Sequence, residues 1–446
     1  MTFFWGNSSS AMQTEGNAKA REKSESVYDM PELWENQKIW DTAIDEFKYL
    51  DVDLDLMKEA GFNFYRFSVS WSRIVHDGDG EINKAGFEFY DRLVDGCLKR
   101  NIEPMICLYH FDMPKKLAEK YDGLLSDKTV QAFINYSKSV IDHFSDKVKY
   151  WIAFNEQNLY LTSEAPKIAG CLSKITKDKN KYLEKSYLNA VEKIFDNTVK
   201  CHNSVAEYIK EINQKYSDDN ALKLGAMIAY EMIYPCGNDG FVDPFNALVA
   251  YKTGELLNWK TLDETIYDFI SFSYYRSSNL EANRLPKKCP ANFCLDFTRQ
   301  NNPALDVTKW GWSVDPIGFR LAISTMYAKY KKPIFPIENG IGLDDTLPDD
   351  KLTRDVKRIG YHSAHIEAMY DAMKKDGADV MGYLGWGLID IPSSQGDMNK
   401  RYGIVYVNRD NDSTGDMKRY PKKSYGYFQD MIKDYTKKIN QLQNER

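Results

Sequence analysis

Eight short apolar segments recur along this chain, and helical sequence follows each of them. Residues 130–144, for example, carry apolar side chains at Val130, Phe133, Val140 and Ile141, a spacing that fits one helical face better than a strand. Strands that alternate with helices predict an α/β fold. Eight such pairs predict a closed (β/α)8 TIM barrel, although a doubly wound open sheet has the same alternation. The predicted strands are residues 3–6, 62–67, 103–109, 150–154, 223–229, 269–275, 333–337 and 380–386.

Polar residues stand at the C-terminal ends of several predicted strands. A barrel gathers those ends at one face, so we expect these side chains to meet there. The polar, weakly periodic residues 171–185 and 287–302 are predicted to form loops around the same face. The residues at the strand ends are Gln13, His110, Asn155, Glu156, Tyr275 and Glu338.

The length of the chain permits more than one domain. With 446 residues and 43% hydrophobic content it can bury a large core, and length alone would suggest roughly two to three domains. Barrels reach this size as one unit, and no repeat or linker marks a boundary. We therefore predict a single domain over residues 1–446, ending in an amphipathic helix at residues 433–446 that frays.

The formal net charge of −6 argues against some classes of partner. Nucleic acids and acidic membranes bind clustered positive surface, which is not the overall character of this chain. We therefore predict no nucleic-acid partner and no membrane partner. The local basic run at residues 418–423 is interpreted as solvated surface.

The cysteines favour a reducing compartment. There are seven, widely scattered and without CxxC spacing, which is typical of free thiols. Cys107 stands in an apolar run and is interpreted as a small core residue. The N-terminal residues lack the basic region of a signal peptide, and no apolar run approaches the roughly 20 residues that span a bilayer. We expect a cytoplasmic protein.

Metal and cofactor binding have little support in the sequence. His362 and His365 could face the same way on a helix, but no carboxylate or cysteine stands at ligand spacing beside them. The preferred interpretation of this pair is an exposed helix face. No glycine-rich phosphate loop follows a strand, so we predict neither a nucleotide cofactor nor a metal.

Two glutamates are candidates for the cleavage of a glycosidic bond. Retaining cleavage needs one carboxyl as acid/base and a second as nucleophile about 5–5.5 Å away. Glu156 and Glu338 each stand beside an asparagine in a segment that resembles a buried strand. A buried carboxylate needs polar partners or a shifted pKa. For either glutamate alone, a salt bridge or a helix cap would be the commoner explanation.

A third group of residues could bind an anion. Ser393, Lys400 and Tyr402 offer a hydroxyl, an ammonium and a phenol at a spacing that could converge on one dianion. Alone, such a segment is more often a solvated loop. Together with the two carboxylates it suggests an enzyme that cuts a phosphorylated sugar.

The motifs resemble glycoside hydrolase family 1 from one end of the chain to the other. The resemblance implies a (β/α)8 barrel with Glu156 as acid/base and Glu338 as nucleophile. Arg66 and Tyr275 would orient and polarise Glu338. The glycone subsite would comprise Gln13, His110, Asn155 and Trp386, with Trp312 as the floor under the leaving group. The matching segments are residues 4–6, 10–16, 63–74, 109–114, 154–156, 272–275, 311–316, 337–340 and 385–386.

One segment further resembles the 6-phospho-β-glucosidase subfamily. Ordinary β-glucosidases of the family carry Glu-Trp where this chain has Ser393 and Ser394, and that glutamate would repel a phosphate. Ser393, Lys400 and Tyr402 resemble the subfamily's phosphate pocket, and Ser273 before the Tyr-Tyr pair is also seen there. Phosphogalactosidases place a tryptophan at the position of Ser394, so the gluco epimer is favoured.

The predicted function is therefore retaining hydrolysis of 6-phospho-β-glucosides, either disaccharide or aryl. Two departures from the family remain: Gln157 replaces the usual proline, and residues 161–185 and 236–268, which would shape the aglycone side, look contracted. The alternatives are a 6-phospho-β-galactosidase or a plain β-glucosidase. From another class, the alternative is a weakly active or inactive phosphosugar-binding barrel.

Overall fold

A computed structural model describes residues 2–16, 23–34, 38–238 and 241–445. Its centre is a closed barrel of eight parallel strands, which we number β1 to β8 in chain order. The first strand pairs with the second and also with the last, so the sheet has no free edge. This closure excludes the open-sheet alternative. The strands are Phe4–Ser8, Phe64–Ser68, Glu103–Tyr109, Tyr150–Phe154, Lys223–Ala229, Phe269–Tyr274, Ile334–Asn339 and Gly382–Trp386.

One long helix follows each barrel strand in the described part of the chain, and we number these helices α1 to α8. The predicted (β/α)8 barrel is thereby confirmed. All eight predicted strands lie within two residues of the observed ones at each end. The helices are Glu46–Glu59, Phe87–Lys99, Asp127–Phe144, Lys185–Asn213, Pro244–Glu264, Pro316–Tyr330, Val356–Asp376 and Lys423–Glu445.

Local sequence explains where several helices begin. Asp315 caps α6 by accepting a hydrogen bond from the Gly318 N–H at 2.8 Å, and a proline occupies the first turn. Asp243 caps α5 in the same way. Proline suits this position because its missing N–H would have no partner in the first turn. In α3, apolar residues at helical spacing, such as Phe133 and Ile141, are fully buried.

The core has two layers. An inner cluster fills the barrel with side chains from the strands, including Phe64, Met105, Ile152, Phe335 and Leu384. An outer, larger cluster lies between the strands and the helices. Because strands of this kind are buried on both faces, they read as continuous apolar runs rather than as alternating ones.

Shorter elements decorate the barrel. The three-stranded sheet formed by Met232–Pro235, Ser277–Leu280 and Arg299–Gln300 follows β5 and β6 on the side where the strands end. Two small antiparallel pairs join Val405–Val407 to Arg419–Pro421 and Gly237–Asn238 to Phe241–Val242. The short helices are Ala11–Glu15, Lys38–Thr42, Trp71–Ile74, Lys115–Tyr121, Ala165–Ile168 and Cys294–Thr298. The 3-10 turns are Val27–Asp29, Lys84–Gly86, Gly123–Leu125, Gln157–Leu161, Leu172–Lys174, Lys179–Leu183, Asp218–Asn220, Ala282–Arg284 and Ala291–Phe293.

Several finer expectations need correction. The terminal helix begins at Lys423 rather than at residue 433, because Tyr425, Phe428 and Met431 already pack on the core. The predicted loop at residues 171–185 contains two 3-10 turns, and that at 287–302 contains a short helix and a sheet strand. Most of the supposedly contracted residues 236–268 form α5, an ordinary barrel helix.

The basic run at residues 418–423 is not solvated throughout. The Lys422 ammonium is buried and pairs with Asp345 at 2.7 Å and with Asp390 at 2.9 Å. Arg419 pairs with the buried Asp53 carboxylate at 2.7 Å. The run therefore supplies internal ion pairs, because the connection after β8 returns across the barrel before α8 begins.

His362 and His365 also differ from expectation, since both are buried rather than on an exposed face. The Nδ1 atom of His362 lies 2.7 Å from the Tyr383 hydroxyl, and that of His365 lies 2.8 Å from the Tyr361 carbonyl oxygen. Burial holds the pKa of each histidine below its usual range. They are neutral core residues of α7.

The seven cysteines are all free, and Cys107 is buried as a core residue in β3, as predicted. In the described ranges, no helix combines the length and the apolar character needed to cross a bilayer.

Candidate active site

A cavity of about 360 Å³ opens at the C-terminal end of the barrel strands. This is the size of a small-molecule site, and it lies where barrel enzymes carry their chemistry. Three predicted site residues, Arg66, Ser393 and Lys400, are not among the residues that line the cavity. The predicted residues that line the cavity are Gln13, His110, Asn155, Glu156, Tyr275, Trp312, Glu338, Trp386 and Tyr402.

Glu338 is held by two donors at the end of β7. Arg66 Nη1 donates to Glu338 Oε1 at 2.6 Å, and the Tyr275 hydroxyl donates to Oε2 at 2.9 Å. Between Pro336 and Glu338 the pairing of β7 with β6 shifts register. Such irregularities re-aim side chains next to active sites. Both carboxylate oxygens are therefore fixed before any ligand binds.

The same partners tune the charge of Glu338. Burial raises the pKa of this carboxyl, whereas the Arg66 charge and the Tyr275 hydrogen bond oppose the rise. Arg66 is itself fully buried, and its Nη2 donates to Asn155 Oδ1 at 2.6 Å. One guanidinium thus ties β7 to the residue that precedes Glu156, with one hydrogen bond to each.

Glu156 has a strained backbone, and within the described ranges one side chain, that of Ser273, donates to it. Its φ of 43° and ψ of 51° lie in the left-handed region, which costs a non-glycine residue roughly 1–3 kcal/mol. Its N–H donates to Met227 Sδ at 2.9 Å. The Ser273 hydroxyl, at the end of β6, donates to Glu156 Oε1.

The two carboxyls differ in protonation. Burial, followed by the negative charge of Glu338, raises the pKa of Glu156 to about 8. The Ser273 hydrogen bond and the Arg66 charge oppose this rise without cancelling it. At neutral pH Glu156 therefore keeps its proton, whereas Arg66 and Tyr275 favour the carboxylate form of Glu338, the division that acid/base and nucleophile require.

His110 and Trp386 form one wall of the cavity. Their rings lie 5.6 Å apart with an interplanar angle of 28°. Burial and the nearby Arg66 charge hold the pKa of His110 well below its usual range, so the imidazole is neutral. Its buried Nδ1 has no hydrogen-bond partner among the described residues. An unpartnered buried nitrogen on a cavity wall suits a ligand hydroxyl.

Gln13 joins the first strand to the connection after β8. Its Nε2 donates to the Pro392 carbonyl at 2.6 Å, and its Oε1 accepts from the Ser10 hydroxyl at 2.6 Å. The side chain is buried, so its orientation is fixed.

The phosphate-binding candidates are only partly brought together. Tyr402 lines the cavity, and its ring lies 6.0 Å from that of Tyr275. Ser393 instead closes a turn, in which its hydroxyl accepts from the Asp397 N–H at 3.3 Å. The neighbouring Ser394, with Gln395, reaches the cavity wall.

Lys400 lies close to the cavity wall. Its Nζ is 3.4 Å from the centre of the Trp312 ring, and in the described part of the chain no carboxylate pairs with it. Burial, followed by the Arg276 charge, lowers the pKa of Lys400 to about 8. Its stem passes Gly342, where a Cβ atom would stand 2.6 Å from Lys400 Cγ. Only a glycine at position 342 leaves room for the Lys400 side chain in this position.

The small sheet after β5 and β6 contributes three charged residues that the sequence interpretation missed. Its parallel pair aligns Ser277 with Met232, and its antiparallel pair aligns Leu280 with Arg299. Arg276 and Glu231 precede the first two strands directly, so they are neighbours on the cavity wall. A charged residue immediately after a predicted strand, as Arg276 is after Tyr275, was the available indication.

The outer part of the cavity comes from the segments that look contracted in sequence. Residues 161–185 supply a cluster of lining side chains, whereas residues 236–268 supply two. Lys167 Nζ lies 3.8 Å from the centre of the Trp34 ring at this end. Both segments therefore contribute to the wall of the cavity. The lining residues from these two segments are Thr162, Ser163, Glu164, Lys167, Ile168, Leu257 and Asn258.

Among the described residues, no group of three or more histidine, cysteine, aspartate and glutamate side chains has the arrangement of a metal site.

Sequence comparison matches this chain to a known family and to characterised relatives. The model of glycosyl hydrolase family 1 matches residues 1–249 and 252–437. The aryl-phospho-β-D-glucosidase BglA of Bacillus subtilis (strain 168) is 33% identical over 482 residues, covering 96% of this chain and 97% of that protein. The 6-phospho-β-glucosidase of Clostridium longisporum is 32% identical over 477 residues, covering 97% and 96% respectively.

Solved structures agree on the fold. The family 1 β-glucosidase from Thermotoga maritima superimposes with a TM-score of 0.80 over 97% of each chain, at 23% identity. The barrel and its paired carboxyls define a glycoside hydrolase. The chain belongs to glycosyl hydrolase family 1. The resemblance drawn from the motifs is confirmed.

Proposed function

We propose that this enzyme is a retaining 6-phospho-β-glucosidase. It would hydrolyse disaccharide or aryl β-glucosides phosphorylated on O6 to glucose 6-phosphate and an aglycone. The observation that carries the proposal is the cation Lys400, which has no ionic partner among the described residues, beside a cavity that holds two unequal carboxyls. Relatives named aryl-phospho-β-D-glucosidase and 6-phospho-β-glucosidase support it.

The carboxyl pair supports a double displacement. In the first step, the Glu338 carboxylate attacks the anomeric carbon while protonated Glu156 gives its proton to the leaving oxygen. In the second step, Glu156 takes a proton from water, and that water displaces Glu338 from the sugar. The pKa of Glu156, at about 8, keeps its proton available at neutral pH for the first step.

Arg66 and Tyr275 act as positioning residues for the nucleophile. Their hydrogen bonds, 2.6 and 2.9 Å long, fix one oxygen each and favour the ionised form. A correctly aimed carboxylate avoids much of the entropic cost of attack.

The remaining wall would hold the sugar. The neutral imidazole of His110 can pair with a glycone hydroxyl, and Trp386 offers a ring for the apolar face of the sugar. Gln13 and Asn155 extend this polar lining. Trp312, partly buried against Tyr275 with ring centres 5.5 Å apart, would form the floor under the leaving group.

The 6-phosphate would be recognised by Ser393, Lys400 and Tyr402. Lys400 supplies charge, and the two hydroxyls supply hydrogen-bond donors. Burial makes ionisation of Tyr402 harder, raising its pKa, so the phenol remains a donor. Ser393 requires a small turn movement to reach the ligand, because its side chain now faces the Asp397 N–H.

The gluco epimer is favoured over the galacto epimer. Ser394 lines the cavity where the resemblance implies a tryptophan in phosphogalactosidases. We further propose a cytoplasmic location, because the seven free thiols suit a reducing compartment. No nucleic-acid or membrane partner is proposed.

The decisive experiment compares four chromogenic substrates on the same enzyme: aryl β-glucoside, aryl β-galactoside and their 6-phosphates. We expect the 6-phosphoglucoside to have the highest kcat/KM. A higher value for the plain glucoside would contradict the phosphate assignment. A higher value for the 6-phosphogalactoside would contradict the epimer. Tight binding of all four without turnover would identify a phosphosugar-binding protein instead.

A further inference from the structure

Arg276 lines the cavity that holds the two carboxyls and lies near the ring that Lys400 contacts. It follows Tyr275 directly at the end of β6 and lines the same cavity as Glu156 and Tyr402. Its guanidinium carbon is 5.3 Å from the centre of the Trp312 ring, the ring over which Lys400 Nζ lies at 3.4 Å. We call Arg276 and Lys400 the cation pair.

Arg276 donates no hydrogen bond to another residue within the described ranges. In the described part of the chain, its one ion pair joins Nε to Glu231 Oε1 at 3.4 Å, longer than a normal hydrogen bond. No hydrogen bond from either Nη atom to a described residue is present. The side chain is 28% exposed, towards the cavity. Two guanidinium nitrogens therefore remain available to a ligand.

Glu231 neutralises Arg276 only in part, because its carboxylate is shared with a second arginine. Arg299 donates to both oxygens, at 3.1 and 2.9 Å, and the Ser278 hydroxyl also donates to one of them. One carboxylate shared by two guanidiniums leaves one positive charge in excess. Lys400, without a paired carboxylate among the described residues, adds a second.

We propose that Arg276 is a specificity-determining residue that binds the 6-phosphate of the substrate jointly with Lys400. Two positive charges in excess match a phosphate that carries close to two negative charges at neutral pH. Arginine presents a planar fork to phosphate oxygens, whereas lysine acts as a point charge, so the cation pair can grip different oxygens. The rings of Trp312 and Tyr402 shield the site from water, which strengthens these contacts.

Because this inference rests on the proposed function, its test begins from the substrate preference of the wild-type enzyme. The measured quantity is the selection ratio, defined as kcat/KM for an aryl 6-phosphoglucoside divided by kcat/KM for the plain aryl glucoside. Arg276→Met keeps most of the side-chain volume and removes the charge. We expect it to lower the selection ratio about tenfold, with a much smaller loss on the plain substrate.

Two further variants separate charge from structure. Arg276→Lys should recover most of the ratio, because it restores a cation without the fork. Arg284→Met is the matched control: Arg284 is 65% exposed and pairs with Glu281 on the same segment, away from the cavity lining. It should leave the selection ratio unchanged. Thermal unfolding of each variant, together with activity on the plain substrate, shows that the barrel is intact.

A second readout uses the product as a probe. Glucose 6-phosphate should inhibit Arg276→Met about tenfold more weakly than it inhibits the wild type, while inhibition by glucose should change far less.

Three results would overturn the role of Arg276. These are an unchanged selection ratio in Arg276→Met, an equal loss on both substrates, or a loss that varies with the aryl leaving group. The last two would make Arg276 a positioning residue for Glu156. A wild-type enzyme without preference for the 6-phosphate would instead contradict the proposed function itself, so the two failures are distinguishable.

Discussion

Two regions at the same end of the barrel are built in opposite ways. Around Glu338, both carboxylate oxygens already accept hydrogen bonds, from Arg66 and Tyr275. Around Trp312, the cation pair of Lys400 and Arg276 has charge but lacks strong acceptors in the described part of the chain. The first region is complete without a ligand, whereas the second becomes complete only when an anion enters.

The difference follows from where each region stands in the fold. Glu338, Arg66 and Tyr275 come from the ends of barrel strands, whose pairing fixes positions closely. Lys400 comes from the connection after β8. Catalysis benefits from dipoles that are aimed in advance, whereas recognition benefits from donors left unsatisfied until the correct ligand arrives, because an analogue that lacks the group then leaves them unpaired.

The largest effect should come from a substitution at Glu338, in the region that is complete without a ligand. Glu338→Gln keeps the shape but removes the proposed nucleophile, so we expect kcat to fall by about four orders of magnitude or more. A 2-fluoro glycosyl donor should label the wild-type enzyme on the peptide that contains Glu338, as seen by mass spectrometry. Glu255→Gln, an exposed carboxyl on α5, is the control. A label elsewhere in an enzyme with good turnover would contradict the assignment.

Removing the other carboxyl should have a large effect that depends on the substrate. In Glu156→Ala we expect a loss of roughly 10²–10⁴-fold, least for aryl groups that leave without a proton. Azide should restore activity, since a small anion can replace the water that Glu156 activates. The product should be the β-glycosyl azide. Recovery of the α-azide would mean that the roles of Glu156 and Glu338 are reversed.

A substitution in the region that a ligand completes should change substrate selectivity rather than the rate of the chemical step. Lys400→Ala removes a charged hydrogen bond worth roughly 1.5–3 kcal/mol, so we expect preference for the 6-phosphate over the plain substrate to fall about 10- to 100-fold. Lys309→Ala, an exposed lysine paired with Asp344, is the matched control. Equal losses on the two substrates would make Lys400 structural.

The pH dependence of the substrate preference is a second test of Lys400. Lys400, with a pKa of about 8, loses its charge as pH rises through that value. The preference for the phosphorylated substrate should therefore decline above about pH 8, although both substrates share the ionisation of Glu156. A ratio that stays flat across this range in the wild type would exclude a charged Lys400 from phosphate binding.

The sequence was most informative where the barrel dictates geometry. Apolar runs with polar ends located all eight strands and placed Glu156, Glu338 and Tyr275 on one cavity, because parallel strands of a closed barrel must end together. The motif resemblance identified Arg66 as a site residue. No periodicity in the sequence indicates that this side chain is buried behind the cavity wall.

The sequence was least informative where distant charges meet. The burial of Lys422 depends on Asp345 and Asp390, which lie far away in the chain. The inward face of His362 likewise depends on Tyr383 across the helix–strand layer. Arg276 and Glu231 become neighbours only through the register of a small sheet. Patterns within one segment do not contain these long-range pairings.

The smallest expected effect concerns Ser273, whose hydroxyl donates to Glu156. Its raised pKa, about 8, means that the proton needed for the first step is lost as pH rises through that value, so kcat/KM should fall on the alkaline side. On the acid side it should fall as Glu338, which must be ionised, gains a proton. The Ser273 hydroxyl donates to the Glu156 carboxylate and so lowers its pKa.

Ser273→Ala should therefore move the alkaline limb of kcat/KM upward, by roughly half to one pH unit if the hydrogen bond contributes about 1 kcal/mol. Ser271→Ala is the matched control, because that hydroxyl stands in the same strand but bonds to the Ala226 carbonyl at 2.9 Å, away from the cavity lining. Its pH profile should match the wild type. A downward shift in Ser273→Ala would mean that the hydroxyl stabilises the protonated rather than the ionised carboxyl. The weakly bonded Glu156, unlike the doubly bonded Glu338, would then keep its proton through hydrogen bonding and not through burial beside a negative charge.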